Sequence, residues 1–204
     1  MNIHDRCHQQ TRIGKTYLTA RVHDILAEKH GIRAVVLSTD DLYLPYEGLK
    51  ALETSNPENG LLHGRGLPGT HDVPLGARVL EDLKRINDKS TQTSSARRVS
   101  VPRFDKSAHG GYGDRMSESR EIQAPIHIVM LEGWNMGFYP ILPREMDKRY
   151  DEATSLAGAK GQISEPYFLQ HPKTSLHEIN ENLHLYASSW YKYFTHFIQV
   201  IPSG

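Results

Sequence analysis

The chain has 204 residues, enough for one domain with a sizeable core, and its 24 acidic residues balance 24 basic ones. That balance, without a basic stripe, excludes an electrostatic footprint for nucleic acid. A single cysteine (Cys7) excludes a disulfide framework, no apolar run reaches the roughly 18 residues of a membrane span, and no apolar signal core opens the chain.

These features lead us to expect a soluble protein without a membrane partner, cytoplasmic, with the nucleus as the alternative compartment. Residues 1–13 are mostly polar. Gly14-Lys15-Thr16 then opens a helical pattern in which Leu18, Val22, Ile25 and Leu26 share a face and Gly31 ends the helix. At a helix mouth leading into a buried strand, such a tripeptide holds phosphate oxygens through amides and the lysine. The threonine hydroxyl can reach magnesium. The plain alternative is an exposed lysine in a first turn.

Residues 34–37, AVVL, run apolar without alternation and read as a strand buried on both faces of a parallel sheet. The run ends in Ser38-Thr39-Asp40-Asp41. Open α/β sheets place ligands at that end of a strand.

Residues 45–72 are loop-like, yet their last part, RGLPGTHD, is too rigid and charged for a linker. Long ordered loops over a strand end are usually functional. A helix follows Pro74, with Leu75, Val79, Leu83 and Ile86 on one face, and Asp72 stands where an N-cap belongs. Residues 87–98 form a polar insert. A short strand over residues 99–101 precedes PRFDKS and GGYGDR. These mix fixed charges with glycines and suit either a loop closing on an anion or a surface loop with local ion pairs.

Residues 126–131, IHIVML, read as a second buried strand, and Glu132 follows directly. P-loop proteins hold magnesium or its water there; a solvent-facing acid is the alternative. Residues 143–170 show no clear periodicity. Leu176, Ile179, Leu183, Tyr186, Trp190 and Tyr193 then mark an amphipathic helix. Residues 197–201, FIQVI, read as a last strand.

Taken together, GKT, LSTDDLYL, RGLPGTHD, PRFDKSAHGGYGDR and VMLEGWNMGF resemble the P-loop small-molecule kinases of the phosphoribulokinase, uridine kinase and pantothenate kinase superfamily. More narrowly, they resemble the D-glycerate 3-kinase branch of plants and fungi, with its fungal ATP-dependent kinase members. The motifs stand in the family's order and cover most of the chain.

The resemblance implies a three-layer αβα P-loop fold with a mainly parallel sheet, in one domain over residues 1–204. His8 to Ile13 replace the glycine-rich loop, so we expect the first strand to be missing or degenerate and the domain to be incomplete at both ends. It implies ATP and magnesium as cofactors and a glycerate-like small molecule as acceptor. Gly14, Lys15, Thr16 and Tyr17 would bind ATP, with Thr16 and Glu132 on the metal. Asp40 would take the acceptor's proton, with Lys15 and Asp41 beside it. Arg65, His71, Arg103, Asp105, Lys106 and Arg115 would line the acceptor pocket. The alternatives are a non-catalytic remnant with impaired ATP binding, and a kinase of a nucleoside or pantothenate-like alcohol. No oligomeric state is legible.

Overall fold

In a computed structural model, which describes residues 14–88, 97–159 and 166–200, the buried run forms strand β1, Ala34–Ser38. It pairs in parallel with β6, Ile128–Glu132, from Ala34 opposite Ile128 to Ser38 opposite Glu132. Both apolar runs are thus strands of one parallel α/β sheet. Helix α1, Lys15–His30, packs along both strands and ends where Gly31 turns left-handed at φ 62°. Its apolar stripe is used unevenly: Ile25 and Leu26 are half-buried, while Leu18 and Val22 are exposed. The segment expected to hold a degenerate first strand lies outside the described residues.

Helix α2, Tyr46–Ser55, forms inside the stretch read as loop, and only Leu49 of its residues is buried. Helix α3, Val73–Lys84, follows as read, with the Asp72 carboxylate accepting from the Leu75 amide at 3.0 Å. Strand β2, Arg98–Val101, pairs antiparallel with β5, Arg120–Gln123; β3, Phe104–Asp105, and β4, Asp114–Arg115, make a short hairpin.

Helix α4, Pro143–Ala159, occupies the segment without periodicity. Surface polar contacts lace it instead: an ion pair from Glu145 to Arg149 at 2.7 Å along the helix, and a 2.8 Å hydrogen bond between Asp147 and His177 across to α5, Lys173–Ser189. Helix α5 carries its aromatic stripe into the core. Tyr186 and Trp190 are fully buried, and the Trp190 indole donates to the Val73 carbonyl at 3.0 Å.

Residues 197–200 are not a strand, contrary to the sequence reading, and Ile201 lies outside the described residues. A strand needs a neighbour to pair with, and FIQV has none among the described residues. Ile198 is 85% exposed, and the Phe197 ring packs over Gly137, where a Cβ would lie 2.3 Å from it.

Candidate active site

The parallel register ends both strands at the same level, Ser38 beside Glu132. After β1 the chain makes one tight turn, Thr39–Leu42, in which the Ser38 hydroxyl accepts from the Asp40 amide at 3.3 Å. Asp40 and Asp41 are thereby presented above the strand tips. The mouth of α1 opens on Gly14, left-handed at φ 73°. Among the described residues no side chain caps its first-turn amides. The Thr16 hydroxyl donates to the Glu132 carboxylate at 3.2 Å, which brings the helix mouth to the tip of β6. Tyr17 is exposed, and the Lys15 side chain lies outside what the structure describes.

Asp40 forms an ion pair with Lys106, reaching in from the loop after β3. The Tyr43 hydroxyl also meets this carboxylate. Burial first, then the nearby anion, pushes that phenol's pKa well up, so it stays protonated. The Tyr43 ring stacks on His71 with centroids 4.2 Å apart, and His71 Nδ1 shares a 2.6 Å hydrogen bond with the Tyr186 hydroxyl. His71 is only 4% exposed. It supports Tyr43 from behind and does not line an open pocket wall as the sequence reading expected.

Burial lowers the His71 pKa to about 4, against a small opposing pull from Asp40, so the ring is neutral at physiological pH. A depressed folded-state pKa contributes stability that is complete above the unfolded value near 6.5. It is lost as pH falls toward 4, because the unfolded chain takes the proton first. Urea melts at pH 7 and pH 4.5 should therefore differ by on the order of 2 kcal/mol in the wild type, and by clearly less in His71→Gln. An equal acid loss in both proteins would contradict this assignment.

The basic residues of the glycine loops divide sharply. Arg65 Nη1 donates to the Gly111 and Tyr112 carbonyls, each at 2.6 Å. Arg115 Nη2 donates to the Tyr43 carbonyl at 2.8 Å and to Asp72 at 3.1 Å. Asp105 accepts from the Ser107 amide and hydroxyl at 2.8 and 2.6 Å. These three hold the loops together. The Arg103 side chain is exposed and makes no hydrogen bond or ion pair among the described residues.

The structure therefore brings Thr16, Glu132, Asp40 and Lys106 to the strand tips, with His71 beneath. Asp41 turns aside: its Oδ1 accepts from the Phe104 amide at 3.1 Å. Sequence reasoning missed the Tyr43 hydroxyl and this Asp41 bond. Tyr43 stood inside the LSTDDLYL motif but carried no chemical signal of its own.

This oxygen set fits magnesium, a hard cation that binds one or two protein oxygens and fills its remaining positions with water and substrate phosphates. Among the described residues there is no cluster of three His, Cys, Asp or Glu suited to a closed metal site. The mouth of α1, uncapped among the described residues, fits a phosphate.

No family model matches the chain. It is 33% identical over 182 residues to the chloroplastic D-glycerate 3-kinase of Arabidopsis thaliana, covering 88% of this chain and 33% of that one. It is 39% identical over 131 residues to the probable ATP-dependent kinase TDA10 of Saccharomyces cerevisiae, covering 63% of this chain and 44% of that one. The chain thus spans about a third to under half of these relatives' lengths. Among solved structures, D-glycerate 3-kinase from Cryptococcus neoformans superposes with a TM-score of 0.77 at 38% identity, over 86% of this chain and 56% of that one.

Proposed function

The chain belongs to the glycerate kinase branch of the P-loop small-molecule kinases, and from that premise we propose that it phosphorylates a hydroxyl of a small hydroxy acid, with D-glycerate the leading acceptor. The observation that carries the reading is the meeting of two pairs at one end of the sheet: Thr16 with Glu132, and Asp40 with Lys106.

Thr16 and Glu132 would hold magnesium, and the α1 mouth the phosphates of ATP. Bound there, magnesium–ATP supplies the transferable phosphoryl group and offsets its charge. This chain's own residues bind and orient the acceptor. The Lys106 ammonium takes the acceptor carboxylate. That contact releases Asp40, whose Oδ oxygen receives the proton of the acceptor hydroxyl. The free guanidinium of Arg103 adds positive charge near the same loop. Two cations favour an acid over a neutral nucleoside as acceptor.

We propose a reducing compartment, cytoplasm or nucleus, on the single-cysteine composition. No helix among the described residues is long and apolar enough to cross a membrane.

Titration with magnesium–ATP followed by an ADP-release assay over an acceptor panel tests the proposal. We expect binding, and turnover with D-glycerate at least about tenfold above that with a nucleoside or a pantothenate-like alcohol, the discrimination that matched polar contacts supply. Preference for either alternative would reassign the acceptor. No binding and no turnover would favour the non-catalytic remnant.

A further inference from the structure

Asp41 stands beside the proposed base, and a paired carboxylate there invites a second catalytic or metal-binding role. Its contacts point elsewhere. The Asp41 carboxylate faces the loop after β2, where its Oδ1 takes the Phe104 amide proton at 3.1 Å. Phe104 opens β3, and two residues later Lys106 reaches Asp40. The far side of the same hairpin is tied down separately: the Met116 amide donates to the Arg103 carbonyl at 2.9 Å, and Arg115 donates to the Tyr43 carbonyl. The near side is joined to the strand-tip turn through Asp41.

We propose that Asp41 is a positioning residue, a clasp between the turn after β1 and the start of β3 that sets where Lys106 stands relative to Asp40. The proposal rests on the kinase reading for its consequence, and on the Asp41–Phe104 bond for its structure. Asp41 is half-buried, and burial raises its pKa, with the Phe104 amide and the Arg120 charge opposing that rise. A group that accepts one amide proton needs an oxygen at that spot more than it needs a negative charge. A magnesium ligand or a base needs the charge.

That difference gives the test. Asp41→Asn keeps an oxygen able to accept from Phe104, whereas Asp41→Ala leaves the amide unpaired. Hydrogen exchange, followed by mass spectrometry over residues 103–107 of the full chain, should run about tenfold faster in Asp41→Ala and near the wild-type rate in Asp41→Asn. In the ADP-release assay, Asp41→Ala should raise the KM for glycerate about tenfold with the KM for ATP unchanged. Asp41→Asn should recover to within about threefold of the wild type.

Equal exchange in all three proteins overturns the clasp. So does an Asn variant as impaired in turnover as the Ala variant, because the charge would then be what matters. A wild type that turns over no acid counts against the proposed function, while the exchange measurement still decides whether Asp41 holds the loop.

Discussion

Asp40→Asn should lower kcat with D-glycerate by about 10²- to 10⁴-fold, the usual contribution of a positioned proton acceptor. The KM for ATP should stay within about threefold, since the proposed metal and phosphate contacts fall to Thr16, Glu132 and the α1 mouth rather than to Asp40. Melting should barely move. The Asp40–Lys106 pair is partly exposed, 31% and 56% for the two side chains, and exposed pairs contribute roughly 0–1 kcal/mol. A large rate effect with an almost silent melt separates chemistry from folding. Asp41 is the only other carboxylate on that turn, and its Oδ1 is held by the Phe104 amide, so it is poorly placed to substitute. An ADP-release assay showing less than about tenfold loss would remove Asp40 from the proton's path.

What the residues revealed before any coordinates depended on whether local pattern and tertiary role coincide. Strand β1 was legible because burial of most of its residues leaves an unbroken apolar run. The apolar run of β6 also forms a strand, but Ile128 is exposed and the rest are only half-buried, so the burial expected of it is not seen. Helix α5 was legible because Leu183, Tyr186 and Trp190 sit at helical spacing and are all buried. Helix α4 was not, because charged residues such as Glu145 and Arg149, paired along its surface, stand where an apolar period was sought. Strand β5, Arg-Glu-Ile-Gln, offers one apolar side chain, too little for a strand pattern, and forms by pairing with β2.

The site divided in the same way. The carboxylates after β1 and at the last position of β6 were located by a rule about strand ends that is independent of partners. Arg65, Arg115 and Asp105 were expected on the acceptor. A charged side chain in a glycine loop looks the same in sequence whether it faces a ligand or a backbone carbonyl. The burial of His71 was hidden likewise, because the polar loop around it gives no hint of the aromatic floor that α5 supplies.

That floor sets the largest stability effect we expect. Trp190→Ala should cost about 3–5 kcal/mol, the range for emptying a buried aromatic site, and lower the melting temperature by roughly 10 °C or more. The indole is fully buried, stacks on Tyr186 at 4.7 Å, and meets the His71 ring edge-on at 6.1 Å. It also presses on α3 at Gly76, where an added Cβ would lie 2.7 Å from three indole atoms. Gly76→Ala should therefore destabilise the wild type, although alanine ordinarily favours a helix interior by roughly 0.5–1 kcal/mol. In the Trp190→Ala background the clash is gone, and the same change should become neutral or stabilising, a coupling that a double-mutant cycle of urea melts reads directly. Additive effects would mean that the indole does not fill the space against α3. Because the indole backs the Tyr186–His71–Tyr43 stack, Trp190→Ala should lose activity in step with its folded fraction. Asp40→Asn should lose activity while fully folded.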